Sequence, residues 1–125
     1  MCGRSPVLEF VRRQPGQRGI LKRGQMPDFE NVPADDWEDW STANDAVILD
    51  VRQPDEWALG TLPGSTLISM GELVDRLSEL DKARPVLCVC RSGARSAQVA
   101  AYLSTAGFAK VANMAGGVKA LGMQD

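Results

Sequence analysis

The chain contains no histidine. Ser-His-Asp and Cys-His catalysis are therefore impossible within it, as are histidine-based zinc sites. Acid–base work falls to carboxylates, lysine, a thiol or water. Cysteine is also scarce, with Cys2, Cys88 and Cys90 making up the whole set. Three such residues, one of them in a terminal stretch without apolar periodicity, form neither a disulfide framework nor a metal cage. No metal and no cofactor is expected, and the thiols point to a reducing compartment. Nor does any apolar run approach the roughly 18 residues of a membrane span, and the N-terminal stretch lacks the apolar block of a secretory signal. The expectation is a soluble, cytoplasmic protein with no membrane partner.

The 125 residues suffice for one domain and an extension, and their charge divides the two. Residues 1–24 carry Arg4, Arg12, Arg13, Arg18, Lys22 and Arg23 against Glu9 alone. Residues 28–56 carry ten carboxylates against Arg52 alone. With Pro6, Pro15 and several glycines, residues 1–27 read as a disordered basic extension, and residues 28–125 as the folded domain. An Arg-rich arm suits a nucleic acid, a membrane surface or organelle targeting. An unstructured overhang or an extended start before Met26 is the preferred reading, so no nucleic-acid partner is expected.

Within the domain, apolar runs alternate with helical patterns. Ala46–Val51, Ser65–Ser69, Val86–Cys90 and Phe108–Asn113 have the length and composition of buried strands. Pro33–Trp40, Pro54–Leu59, Gly71–Leu80 and Ala97–Ala106 read as helices. The third carries Leu73, Val74, Leu77 and Leu80 on one amphipathic face, and Ser92 or Ser96 is a candidate cap for the fourth. Such alternation predicts an α/β fold with a central parallel sheet flanked by helices on both faces. Ligands in these folds bind beyond the carboxyl ends of the strands.

Cys90 lies at such an end and opens the run Cys90-Arg91-Ser92-Gly93-Ala94-Arg95-Ser96. A free thiol ionises near 8.5, and a helix N-terminus with nearby arginines lowers that value, which matters because the thiolate is the nucleophile. Ser92, Gly93 and Ala94 are small, and Gly93 permits a positive φ, so the loop can curl with its amides pointing inward as an anion nest. Most strand cysteines are inert core residues. Cys90 differs because arginine, serine and glycine follow it at once. Cys88 shares its strand face one pleat repeat away, and parallel i,i+2 side chains make poor disulfide geometry, so Cys88 reads as core. The candidate nucleophile is thus a solvent-reachable Cys90 thiolate. Arg91 is assigned to anion binding, and Arg95 to a pair with Asp50 at a neighbouring strand end. Arg52 and Glu56 are expected to pair with each other across a strand-to-helix turn.

From Val32 to Leu121 the chain resembles the single-domain rhodanese, or thiosulfate sulfurtransferase, family. The matching pieces are Leu49-Asp50-Val51-Arg52, Pro54-Asp55-Glu56-Trp57, Gly60-Thr61-Leu62-Pro63-Gly64-Ser65, the Cys90 loop and Gly116-Gly117-Val118. The resemblance implies a rhodanese-like fold and a sulfane-sulfur carrier. Cys90 would take sulfur from thiosulfate or a similar small anionic donor, hold it as a persulfide, and pass it to cyanide or a protein thiol. Residues 91–96 would bind the substrate, with Asp50, Arg52 and Glu56 in support. Two positions depart from the family pattern: Thr61 stands where histidine is frequent, and Leu121 where an aromatic commonly closes the last helix, which predicts weaker terminal packing.

Loop length separates this reading from cysteine phosphatases, whose Cys-x5-Arg loop has one residue more between cysteine and arginine than Cys90 and Arg95 enclose. The arginines also separate it from the mercaptopyruvate type. Two alternatives remain: a non-catalytic binding module, and a persulfide relay to a partner in cofactor or tRNA thiolation. The acidic stretch from Asp28 to Glu56 suits a basic partner protein.

Overall fold

The computed structural model describes residues 28–123. The basic extension and the question of its order lie outside these residues, as does Cys2. Five strands form one wholly parallel sheet: β1 (Glu30–Pro33), β2 (Val47–Asp50), β3 (Thr66–Leu67), β4 (Val86–Val89) and β5 (Val111–Ala115), in the spatial order β1-β5-β4-β2-β3. Three α-helices accompany it among the described residues: α1 (Trp37–Asn44), α2 (Pro54–Trp57) and α3 (Ala94–Thr105).

The central strand β4 shows why the sheet is covered on both faces. All four of its residues are buried, and their side chains alternate between two apolar clusters. Val86, Cys88 and the following Cys90 join Val99, Ala100 and Leu103 of α3 on one side. Leu87 and Val89 join Ile48, Ala112 and Met114 on the other, where Trp37 and Trp40 of α1 pack. Neither surface of β4 reaches water, and an apolar run without polar alternation is what such a strand requires. Leu121 packs against the second cluster with Met123, so the missing aromatic leaves an aliphatic contact in its place. No helix among the described residues is long and apolar enough to cross a membrane.

Two elements differ from the sequence reading. The first is β1, absent from that reading, which lies on the sheet edge beside β5 and buries only Val32. A strand of four residues with one inward side chain carries no periodicity to detect. The helix expected from Pro33 begins instead as a 3-10 turn at Ala34–Asp36 and continues as α1.

The second is Gly71–Leu80, which is not a continuous amphipathic helix. It consists of 3-10 turns at Met70–Glu72 and Leu77–Glu79 joined by further turns. The apolar spacing has a three-residue reading that explains this. Met70 and Leu73, and likewise Leu77 and Leu80, are i,i+3 pairs, which eclipse in a 3-10 turn and together face the α3-side cluster. Val74 has no place in either pair and is 65% exposed, whereas Leu73 is 3% exposed. Truncating Leu73 to Ala is therefore expected to cost about 2–5 kcal/mol in urea unfolding. Val74→Lys is expected to change stability by less than about 0.5 kcal/mol, and a comparable loss at both positions would restore the amphipathic helix.

Candidate functional site

Cys90 follows β4 directly, at the carboxyl end of the central strand, and α3 begins only three residues after it at Gly93, its N-terminal cap. So short a connection forces the chain to turn back over the cysteine. Gly93 makes that turn with φ of 99°, a conformation that disfavours any side chain. Capping by Ser92 or Ser96 does not occur, because the glycine occupies the cap and no side chain bonds there. Ser96 instead lies within α3 and faces the sulfur.

The Gly93 amide donates to Cys90 Sγ at 3.1 Å and the Ser96 amide at 3.3 Å. The Ser96 hydroxyl stands 3.3 Å away, within donating reach. Burial pushes the Cys90 thiol up, but the hydrogen bonds from the Ser96 hydroxyl, when its proton turns to the sulfur, and from the Ser96, Gly93 and Ser92 amides outweigh it, so its pKa falls below the ordinary value. The nest is narrower than the sequence suggested. No hydrogen bond joins the amides of Arg91, Ala94 or Arg95 to the sulfur among the described residues.

The thiol is also less open than expected. Cys90 is 0% exposed, because the loop that aims its amides at the sulfur closes over it. Cys88, equally buried one pleat repeat back, has no such donors, and burial together with the neighbouring Cys90 pushes its pKa up. It remains a protonated core thiol, as expected.

A second segment fixes the loop from outside. The Val118 amide donates to the Cys90 carbonyl at 3.0 Å and the Lys119 amide to the Arg91 carbonyl at 2.9 Å. These bonds hold the Cys90 and Arg91 carbonyls away from the sulfur, and the second of those carbonyls shares its peptide unit with the Ser92 amide. Contact this close requires Gly117, where an added Cβ would collide with the Arg91 carbonyl. The Gly116-Gly117-Val118 motif is thus part of the site, a role that spacing along the chain does not disclose. Asn113 was also missed: it is buried in β5, its Oδ1 accepts from the Ser96 hydroxyl, and its Nδ2 donates to Asn31 of β1.

The supporting charges pair differently from expectation. Arg95 does not meet Asp50. Its Nη1 and Nη2 donate to Glu56 Oε1 and Oε2 at 2.8 and 2.9 Å, a bidentate bridge between α3 and α2. Arg52 in turn reaches Glu56 through the backbone, its Nη1 donating to the Glu56 carbonyl at 3.5 Å, and its charge helps to lower the Glu56 carboxylate. Fully buried, it donates through Nε and Nη2 to the buried Asp50 carboxylate and through Nη2 to the Gly60 carbonyl at 2.7 Å. The partners exchange because Asp50 and Arg52 bracket the end of β2 and satisfy each other locally, while α2 turns Glu56 outward to the loop. Arg91 is exposed, and its guanidinium has no partner among the described residues. The site thus comprises a caged sulfur, a braced arginine and an unengaged one.

The Arg95 bridge has a pH signature. Glu56 is lowered from its ordinary 4.5 to about 2, chiefly by the Arg95 hydrogen bonds against an opposing effect of burial. A lowered carboxylate stabilises the fold above its unfolded-state pKa, and that stabilisation is lost as pH falls through the folded value. Acid unfolding of the wild type should therefore include a loss of stability between about pH 4.5 and 2. Glu56→Gln is expected to be less stable at neutral pH and flatter across that window, as followed by urea titrations at each pH.

Comparison with known proteins agrees with this geometry. Residues 33–124 match the rhodanese-like domain. A sulfurtransferase of Allochromatium vinosum is 42% identical over 74 residues, which cover 59% of this chain and 69% of the relative. The thiosulfate sulfurtransferase GlpE of Stutzerimonas stutzeri is 34% identical over 92 residues, 74% of this chain and 84% of the relative. Among solved structures, a rhodanese-like domain protein from Staphylococcus aureus superposes with a TM-score of 0.69 at 31% identity, covering 77% of this chain and 94% of the other. By the extent of these matches, and by the parallel sheet that presents the cysteine loop, the chain belongs to the rhodanese-like domain family.

Proposed function

We propose that the protein is a sulfurtransferase that carries sulfane sulfur on Cys90, with thiosulfate as donor. The observation that carries this reading is the buried Cys90 Sγ, held by the Gly93 and Ser96 amides beside an exposed Arg91 that has no partner among the described residues. The Cys90 thiolate attacks the outer sulfur of thiosulfate. A new S–S bond forms to the enzyme while the bond to the sulfonate sulfur breaks, and sulfite leaves with the electron pair. The product is a Cys90 persulfide. Its terminal sulfur is then attacked by cyanide, giving thiocyanate, or by the thiolate of an acceptor protein, and Cys90 departs as thiolate.

Each part of the site suits one requirement of this cycle. The amides stabilise anionic sulfur without a histidine, and they are fixed in place before the reaction, so little reorganisation accompanies it. Arg91 offers a guanidinium to the sulfonate oxygens, which suits a dispersed anion better than a lysine would. The Arg95–Glu56 bridge holds the start of α3 and neutralises Arg95, leaving Arg91 as the loop arginine available to the donor. The four residues between Cys90 and Arg95 make a loop smaller than phosphate requires, which disfavours a phosphatase. Because Cys90 is covered, entry of the donor calls for a small outward shift of the loop around Arg91 and Ser92. Acceptors in this reading include a protein with a reactive thiol, for which the acidic Asp28–Glu56 stretch offers a surface complementary to basic charge.

Incubation with thiosulfate and intact mass measurement test the central step. The wild type is expected to gain the mass of one sulfur atom, and Cys90→Ser to gain none; equal gain in both would overturn the assignment. Adding cyanide should remove the extra mass and release thiocyanate. Arg91→Ala should keep the fold but raise KM for thiosulfate by about tenfold or more, consistent with loss of a charge-assisted hydrogen bond. An unchanged KM would remove Arg91 from donor binding.

A further inference from the structure

Ser96 has one hydroxyl proton and stands between two acceptors. Its Oγ is 3.3 Å from Cys90 Sγ and 2.5 Å from Asn113 Oδ1. One proton cannot serve both at once. The distance to Asn113 is at the short end for a hydroxyl hydrogen bond, so the carbonyl is a strong competitor for it. Asn113 is 4% exposed and pairs in register with Cys88, on the sheet face that carries the sulfur. Its orientation is held from the far side, where Nδ2 donates to Asn31 Oδ1 at 3.0 Å on the edge strand. Reversing the Asn113 amide would set its oxygen against that of Asn31, so the bond to β1 keeps Oδ1 turned toward Ser96.

We propose that Asn113 is a positioning residue for Cys90: by drawing the Ser96 hydroxyl away from the sulfur, it keeps the thiolate less stabilised, and so more nucleophilic, than the loop alone would make it. This rests on the reading of Cys90 as the nucleophile. The logic follows from sulfur chemistry. Each donor added to a thiolate lowers its pKa and raises its population, but intrinsic nucleophilicity falls along with the pKa. A site with every donor aimed at sulfur would hold an abundant but sluggish anion. Sharing the hydroxyl with Asn113 sets a balance between the two, and lets the proton swing to whichever acceptor needs it as charge leaves and returns to the sulfur.

The charged and titratable groups on the elements around the sulfur are Arg91 of the loop, Arg95 and Tyr102 of α3, Asp55 and Glu56 of α2, Asp50 of β2 with Arg52 just beyond it, Cys88 of β4, and Lys119 of the segment that packs on the loop. Asn113 and Ser96 are neutral, so replacing either leaves all of these in place. Asn113→Leu removes the competing acceptor at nearly constant volume. Its effect has a sign that loss of polarity alone would not produce, because an apolar neighbour disfavours the thiolate and raises the pKa.

The test is the rate of alkylation at Cys90 by iodoacetamide as a function of pH, read by peptide mass, in the wild type, Asn113→Leu, Ser96→Ala and the double variant. Asn113→Leu is expected to move the midpoint to lower pH. Alkylation should be about threefold faster on the acid side of the wild-type midpoint and slower on the alkaline side, where only the weaker nucleophilicity remains. In the Ser96→Ala background the same substitution should shift nothing. An unchanged or higher midpoint, or an equal shift with and without Ser96, would overturn the proposal. If Asn113→Leu does not fold, Asn31→Ala at an exposed position of the edge strand β1 takes its place. It frees the amide to rotate, and a smaller shift of the same sign is expected, with no shift counting against the role of Asn113. Sulfur uptake from thiosulfate is measured separately on the same variants. A protein that alkylates as described yet gains no sulfur would overturn the sulfurtransferase reading and leave Asn113 its role.

Discussion

The character of the Cys90 sulfur depends on two backbone hydrogen bonds that do not touch it. The amides of Val118 and Lys119 take up the carbonyls of Cys90 and Arg91 and so decide which way the loop faces. A peptide unit has opposite polarity at its two ends, so holding the Arg91 carbonyl outward turns the Ser92 amide inward. With the Gly93 and Ser96 donors further along the loop, that orientation favours as an anion a buried thiol that low dielectric would otherwise keep protonated. Cys88 is the internal control. It has the same strand, face and burial but lacks the donors, and its pKa moves the opposite way.

The charged residues around the loop divide into a pair that supports the fold and a pair that supports the loop. Asp50 and Arg52 lie wholly inside, each satisfied by the other and by neighbouring backbone, where removal of either partner would strand a charge. Arg95 and Glu56 are partly exposed and bridge α3 to α2 across the mouth of the site. With those four committed, Arg91 is the loop arginine whose guanidinium has no partner among the described residues. The roles follow from how far each residue sits from water rather than from its type.

Much of this was legible in the sequence. The uninterrupted apolar run of β4, the charged and glycine-bearing residues after Cys90, and the alternation of strands with helices identify the sheet, the loop and their relation. The remainder depended on contacts across the fold. Which carboxylate meets which arginine is set by the direction in which α2 leaves β2, and four residues of the right charges allow either pairing on paper. The Gly71–Leu80 segment shows a different limit, since leucines spaced by three and by four fit both a helix and a pair of 3-10 turns. Asn113 carried no signal of its own: an asparagine near the end of a strand usually marks a turn, and only the parallel register beside β4 brings it to Ser96.

The loop and the segment that orients it are separated in the chain by α3 and β5, and the orienting segment comes second. During synthesis the cysteine and its Gly93 and Ser96 donors therefore emerge before the segment that holds the loop carbonyls outward. Until β5 has added to the sheet and Gly117 has come to rest on the loop, the carbonyls of residues 90 and 91 lack those partners. The surroundings of the sulfur are completed only with a finished fold.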